Sequence, residues 1–337
     1  MIKENEKVYL AGDIGGTKTL LALAEEVAGK IVFRRREIYT SPEYREFEEV
    51  LVRFLETTGF RPEGTEACFG VAGPVAGRRC KTLNLPWLVD APALESRFGF
   101  RQVALMNDFE SIVHGIPSLE PEDLSVLQPG KRVEGGRTIA VLGAGTGLGE
   151  AGALYDPEEG RWRVIPTEGG HADFAPRNEE EIELLRFLRE RFDHVSYERI
   201  LSGAGLVHLF DFVDASGRYE VSPALREAMS REDPAAVITR AALEGGDPLC
   251  LHILDLFISV YGAEAGNLAL KYLTRGGIYL AGGIAPRIRE KLLDGTFLSA
   301  FTAKGRYRGL MEEIPVSMIL NPEVGLLGAA AVAVGLE

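Results

Sequence analysis

Apolar positions along the chain fall into short extended runs and longer helical spacings, arranged twice over. Val8-Tyr9-Leu10 and Leu20-Leu21-Ala22-Leu23 are strand-like runs on either side of a glycine-bearing turn, and Ile31-Val32-Phe33 follows a second turn. Phe47, Val50, Leu51, Phe54 and Leu55 then recur at the i, i+3, i+4 spacing of a helix with one buried face. Ser41-Pro42-Glu43 ahead of them has the makings of a helix start, with Ser as N-cap, Pro at the first helical position and an acid in the first turn. Ala67-Cys68-Phe69-Gly70-Val71 returns to strand and ends in Ala72-Gly73-Pro74. A short helix from Asp90-Ala91-Pro92 leads to Val103-Ala104-Leu105-Met106, a buried strand by its apolar continuity, and a helix over 109–114 follows.

Gly115 to Ser118 and the Pro- and Gly-bearing stretch from Pro121 to Gly136 predict a linker with surface turns, hence a domain boundary. Beyond it the opening pattern recurs. Thr138 to Leu142, Ala151 to Tyr155 and Trp162 to Ile165 are three strands, the first two joined by Gly143-Ala144-Gly145-Thr146-Gly147-Leu148-Gly149 and the last two by a turn at 156–160. The remainder is predicted mostly helical: 178–192 with acids early and arginines late, a helix capped by Ser196, and a long apolar helix from Leu249 to Leu273 interrupted in pattern only by Gly262 and Gly266. Gly277 to Ala281 is a strand running into Gly282-Gly283, and Gly325 to Ala331 is a helix of small residues.

With 337 residues the chain has room for two domains, each with its own core. Its 37 Lys and Arg against 50 Asp and Glu, a formal charge of −13, argue against nucleic acid or an anionic membrane as the main partner. An anionic ligand would need local amides and a metal. Charged residues near the N-terminus precede only a short apolar run, and no stretch is read as a membrane span, so the cytoplasm is the expected compartment. Cys68, Cys80 and Cys250 are too scattered for a disulfide framework or a zinc cluster.

Candidate chemistry sits at the glycine turns. In Asp13-Ile14-Gly15-Gly16-Thr17-Lys18, paired glycines allow amide N–H groups to approach an anion, and Asp13 supplies a carboxylate for the Mg²⁺ of a nucleotide, directly or through water. A Walker A loop is excluded, because Thr17 rather than Gly precedes Lys18 and a hairpin follows instead of a helix. Taken alone the stretch serves equally as a tight turn between strands. Gly147 to Gly152 fits the dinucleotide spacing G-x-G-x-x-G but is likewise followed by a hairpin. Asn107-Asp108 stand at the carboxyl end of a strand, where ligands gather in open α/β sheets, or else act as a plain helix N-cap.

Taken in order, Asp13-Ile14-Gly15-Gly16-Thr17, Leu105-Met106-Asn107-Asp108-Phe109 and Gly143 to Gly149 are joined by Glu168-Gly169-Gly170-His171-Ala172-Asp173-Phe174-Ala175-Pro176, Glu198-Arg199-Ile200-Leu201-Ser202-Gly203 and Ala281-Gly282-Gly283-Ile284. This ordered set resembles the sugar kinase/hsp70/actin superfamily and, within it, the bacterial glucokinase family. No Cys-rich loop follows His171, so the chain is similar to the zinc-free branch. Leu83 stands where related sequences often carry Thr, and Ala204 where some carry Pro.

The resemblance implies an α/β, two-domain, actin-like ATPase (ribonuclease H-like) fold with an interdomain cleft. The smaller domain would be residues 1–117 plus about 322–337, and the larger 118–321. It implies transfer of phosphate from ATP, with Mg²⁺, to the 6-hydroxyl of glucose, Asp108 being the general base. Asn107, Asp108, Glu168, His171 and Glu198 would hold the sugar, since carboxylates accept from two hydroxyls while amide and imidazole both donate and accept. The plain alternative for His171 is a core histidine, against which its acidic, glycine-rich loop favours ligand contact; away from that context Glu168 and Glu198 are solvated surface. Nucleotide would be held by Asp13, Gly15, Gly16, Thr17, Gly145, Thr146, Gly147, Gly203, Gly282 and Gly283, with Asp13 toward the metal. A homodimer is also implied. The alternatives are a nucleotide-gated binding protein or ATPase of the same superfamily, which would lack a convergent sugar set, and a nicotinamide oxidoreductase, disfavoured because no helix follows either loop.

Overall fold

The computed structural model describes residues 7–82, 84–131 and 136–336, so Leu83 and part of the expected linker lie outside the described residues. The chain forms two compact units, Met1–Asp123 with Asn321–Glu337, and Leu124–Leu320.

In the first unit, β1 (Tyr9–Ile14), β2 (Lys18–Val27), β3 (Lys30–Thr40), β4 (Glu66–Val71) and β8 (Gln102–Asn107) form a sheet in the order β3-β2-β1-β4-β8. Between β4 and β8 in sequence, β5 (Val75–Ala76), β6 (Arg79–Lys81) and β7 (Leu88–Asp90) make a small separate sheet. The outer pairs β3-β2 and β2-β1 are antiparallel, while β1, β4 and β8 run parallel. Alternate residues of β1 face opposite sides. Leu10 and Ile14 pack with Leu21, Phe69 and the helix face Phe47, Val50, Leu51 and Phe54, all buried. Tyr9 and Ala11, with Ala22, Ala24 and Cys68, face Leu326, Ala329, Ala330 and Ala333 of the Val324–Val334 helix. Alanines on both partners let that helix lie close against the sheet.

The expected helix start at Ser41 is corrected. Ser41–Glu43 is a single 3₁₀ turn that follows Thr40 without a side-chain cap, and the α-helix begins at Phe47. The Ser41 hydroxyl is instead buried, donating to the carbonyl of Gly15 at 2.8 Å and lying 2.9 Å from Thr19 Oγ1.

The second unit repeats the plan. β9 (Leu124–Gln128), β10 (Thr138–Ala144), β11 (Leu148–Asp156), β12 (Arg161–Thr167), β13 (Gly277–Ala281) and β14 (Val316–Ile319) form one sheet, ordered β12-β11-β10-β13-β14-β9. Its first five strands follow the directions of the first sheet, antiparallel twice and then parallel twice, and β9 closes the edge antiparallel to β14. Thus β9 stands inside the stretch read from sequence as a linker with turns. Ser196 is also corrected, since it heads only the 3₁₀ turn Tyr197–Arg199, without a side-chain cap; Ser202 caps the helix Gly203–Ala215 by accepting from Gly205 N–H.

The apolar run near residue 250 forms the helix Pro248–Tyr272, whose Leu254, Phe257, Ile258 and Tyr261 are core. Its glycines do not break it. A Cβ at Gly262 would lie 2.2 Å from the Phe297 carbonyl oxygen, so glycine lets the Thr296–Thr302 helix pack against it. Contrary to the sequence reading, this helix is long and apolar enough to cross a membrane, but 78% of its most apolar window is buried inside the protein. It is the central helix of a core.

Candidate active site

Each unit carries one glycine turn at the tip of its central hairpin. In the first, the β1–β2 ladder closes at the pair Ile14 and Thr19. The turn between them is held by Gly15 N–H to the Lys18 carbonyl (2.9 Å), Ser41 N–H to the Thr17 carbonyl (3.0 Å) and the Ser41 hydroxyl on Gly15. At Gly16 a Cβ would lie 2.8 Å from Asn84 Cβ, so glycine is what fits. Among the described residues the N–H groups of Gly16 and Thr17 have no protein partner. Two successive unpartnered amides at a glycine turn suit an anion.

Parallel register brings the carboxylates to this end of the sheet. Ile14, Val71 and Asn107 stand level across β1, β4 and β8, and Asp108 begins the helix just beyond. Asn107 is the N-cap, its Oδ1 accepting from Phe109 N–H at 2.9 Å while its Nδ2 donates to the Gly73 carbonyl at 3.3 Å. Asp108 Oδ1 accepts from the same Phe109 N–H at 3.0 Å. The cap and ligand readings of Asn107 are therefore compatible, because these two bonds leave the amide a second oxygen lone pair and a second N–H. Asp13 lies beside the start of the Val324–Val334 helix, its Oδ2 3.2 Å from where a Cβ on Gly325 would be. Burial, and then the charge of Asp108, push the Asp13 carboxyl up to about 7. No ion pair to Asp13 occurs among the described residues, so a cation there would relieve its charge. Mg²⁺, directly or through water, fits that position. Among the described residues no group of three His, Cys, Asp or Glu side chains is placed to hold a metal.

In the second unit the β10–β11 ladder closes at Ala144 and Leu148, and Gly145-Thr146-Gly147 makes the turn. Its carbonyls are used: Gly203 N–H donates to Gly145 at 2.9 Å and Ile284 N–H to Ala144 at 3.2 Å. Gly282 follows β13 at φ 81°, and a Cβ there would lie 2.4 Å from the Ala144 oxygen, so only glycine takes the position. Gly283 beside it faces open space. Gly145, Thr146, Gly147, Gly203 and Gly282 are thus brought together, and the N–H groups of Thr146 and Gly147 again have no partner among the described residues.

Glu198 joins this turn to the expected sugar loop. Its Oε2 accepts from Leu148 N–H at 3.0 Å and occupies the space a Cβ on Gly147 would need, while its Oε1 lies 3.9 Å from His171 Nδ1. His171 and Glu198 line a cavity of about 430 Å³ together with Arg191, Phe192, His194 and Arg199. Glu168 is exposed at the end of β12, its carbonyl accepting from His171 N–H at 3.0 Å. Sequence reasoning missed Ser41 and Asn84, which shape the first turn, and Glu150, which is buried under the Gly169–Gly170 segment. No local sequence signal marks Glu150, whose burial depends on the Pro248–Tyr272 helix packed over it.

The glucokinase family model matches residues 10–335. The glucokinase of Trichormus variabilis is 42% identical over 98% of this chain and 99% of its own length. Among solved structures, glucokinase from an Antarctic psychrotroph has a TM-score of 0.84 at 30% identity, over 98% of this chain and 99% of that one. Glucokinase from Balamuthia mandrillaris in complex with glucose has a TM-score of 0.80 at 23% identity, over 99% and 96%, a likeness of fold. The chain belongs to the glucokinase family and is an ATP-dependent transferase that phosphorylates glucose.

Proposed function

We propose that Asp108 is the general base of this reaction, with Asn107, Glu168, His171 and Glu198 holding the sugar and the two glycine turns holding the phosphates of ATP. Asp108 accepts the proton of the 6-hydroxyl as that oxygen bonds to the γ-phosphorus; the bond from phosphorus to the β–γ bridging oxygen breaks, and ADP leaves. Bound Mg²⁺ supplies neutralisation of the phosphate charge, and Asp13 is the residue that would hold it. The amides of Gly16, Thr17, Thr146 and Gly147 orient the phosphates, and the Asn107 amide and the carboxylates of Glu168 and Glu198 orient hydroxyls.

The observation that carries this reading is the level row of Ile14, Val71 and Asn107, which sets Asp108 at the same sheet end as Asp13 and within range of its charge. D108N tests it: turnover should fall by ~10² to 10⁴ while glucose affinity by calorimetry stays within a few-fold. Near-normal turnover would remove Asp108 from the role. EDTA should abolish activity and Mg²⁺ alone restore it; a requirement for zinc would contradict the zinc-free branch.

A cytoplasmic homodimer and a cleft between two domains, 1–117 with about 322–337 and 118–321, belong to the same proposal. Sedimentation tests the dimer, and a smaller radius of gyration in solution scattering with saturating glucose tests closure.

A further inference from the structure

The Gly169–Gly170 segment lies directly on the start of β11. A Cβ at Gly169 would lie 2.1 Å from Glu150 Oε2, and one at Gly170 would lie 2.1 Å from the Leu148 carbonyl oxygen. Glycine pairs permit this contact, and through it the segment between Glu168 and His171 rests on a carboxyl group. Glu150 is only 2% exposed, and its Oε1 has no hydrogen-bond partner among the described residues.

The groups facing Glu150 offer it little compensation. From the Pro248–Tyr272 helix come Glu264, fully buried and of like charge, Lys271, and the phenols of Tyr261 and Tyr272. Lys271 Nζ lies 3.6 Å from Glu264 Oε1, so the cation serves the other carboxylate. Lys304, also near Glu264, donates to the Ala263 carbonyl and to Asn267 Oδ1. From β12, Thr167 Oγ1 accepts from Gly169 N–H at 2.7 Å. An ionised Glu150 would be a buried charge without its own counter-ion, which is costly. Burial first, and then the charge of Glu264, push its carboxyl up to about 8.

We propose that Glu150 is a positioning residue for the sugar loop: as a neutral carboxyl it supports the Gly169–Gly170 turn that presents Glu168 and His171, and its ionisation loosens that turn and weakens glucose binding. This rests on Glu168 and His171 being sugar contacts. The raised carboxyl fixes the direction. The ordered loop favours the proton, so glucose affinity is highest below about pH 8 and falls as pH rises through it. Linkage makes the effect reciprocal: glucose binding between pH 8 and 9 draws a proton onto the protein.

The test compares wild type, E150Q and H171A. In wild type the KM for glucose rises up to ~10-fold from pH 7 to 9, and calorimetry in buffers of different ionisation enthalpy detects proton uptake on glucose binding at pH 8.5. E150Q, neutral at every pH, holds its KM within ~2-fold over that range and takes up no proton, while kcat follows pH alike in both. A KM that climbs in E150Q in parallel with wild type overturns the proposal, as does the absence of proton uptake in wild type, which needs no variant. H171A separates the premise: a raised KM at pH 7 upholds the sugar loop, and an unchanged KM removes that premise whatever E150Q does.

Discussion

The two central hairpins are the same piece of architecture with their charge placed differently. One residue before the end of the first strand, unit one has Asp13 paired with Leu20, where unit two has Gly143 paired with Gly149. One pair further from the turn, the second strand carries Leu21 opposite Gly12 in unit one and Glu150 opposite Leu142 in unit two. Leu21 and Glu150 are both buried, yet Leu21 packs across Gly12 beside Phe69 while Glu150 meets Glu264 and the Gly169 turn. The same backbone frame thus holds an apolar side chain at this position in one unit and a carboxyl in the other. In unit one the acid sits instead near the strand tip, toward the glycine turn.

Exchanging the residues is the strongest way to break this correspondence. L21E places a carboxyl in the buried apolar cluster of Leu10, Ile14 and Phe69, and should cost ~3 kcal/mol or more, lowering Tm by ~10 °C or preventing folding; an unaffected melting curve would mean the two positions are not distinct.

Next come the neutral isosteres, read by denaturant unfolding against pH. Both acids have folded-state values above their ordinary ones, so each contributes stability that is present below its ordinary value and lost as pH rises through the folded one. E150Q should therefore gain on wild type between about pH 4.5 and 8, reaching ~3 kcal/mol, and D13N between about pH 4 and 7, reaching ~2 kcal/mol because Asp13 is less fully enclosed. Gaps that do not open with pH, or that open in the same window for both, would collapse the distinction. The smallest effect is S41A. Loss of its hydroxyl bond to Gly15 should cost ~1 kcal/mol and raise the KM for ATP a few-fold, leaving the KM for glucose unmoved.

Sequence periodicity made the central strands legible because Tyr9 to Ile14 and Thr138 to Ala144 are buried on both faces and so read as continuous apolar runs. The helix Pro248–Tyr272 was legible for the same reason. β9 and β14 were not. Each is five residues or fewer, and β9 lies among prolines and glycines, taking its form from pairing with a strand near residue 318. Ser41 and Ser196 read as helix caps from local spacing, but Ser41 finds a better partner in a carbonyl 26 positions away, and local propensity yields to it. At the site, the glycine turns and Asn107-Asp108 could be picked out because their spacing is local. Glu150 could not, since its character depends on Glu264, far along the chain and invisible to any window of sequence.

The Val324–Val334 helix sets a timetable for synthesis. It fits against the helix that begins at Asp108 so tightly that a Cβ on Gly328 would overlap the Ser111 carbonyl, and Ser111 donates to the Gly325 carbonyl at 2.7 Å. Yet the roughly 200 residues of the second unit are translated between them. At ~5–20 residues per second the ribosome needs ~10–40 s to cross that interval, during which the sheet face of Tyr9, Ala11, Ala22 and Ala24 waits uncovered. The later unit has its whole sequence in hand before the earlier one does, so a nascent chain would complete its second-born half first.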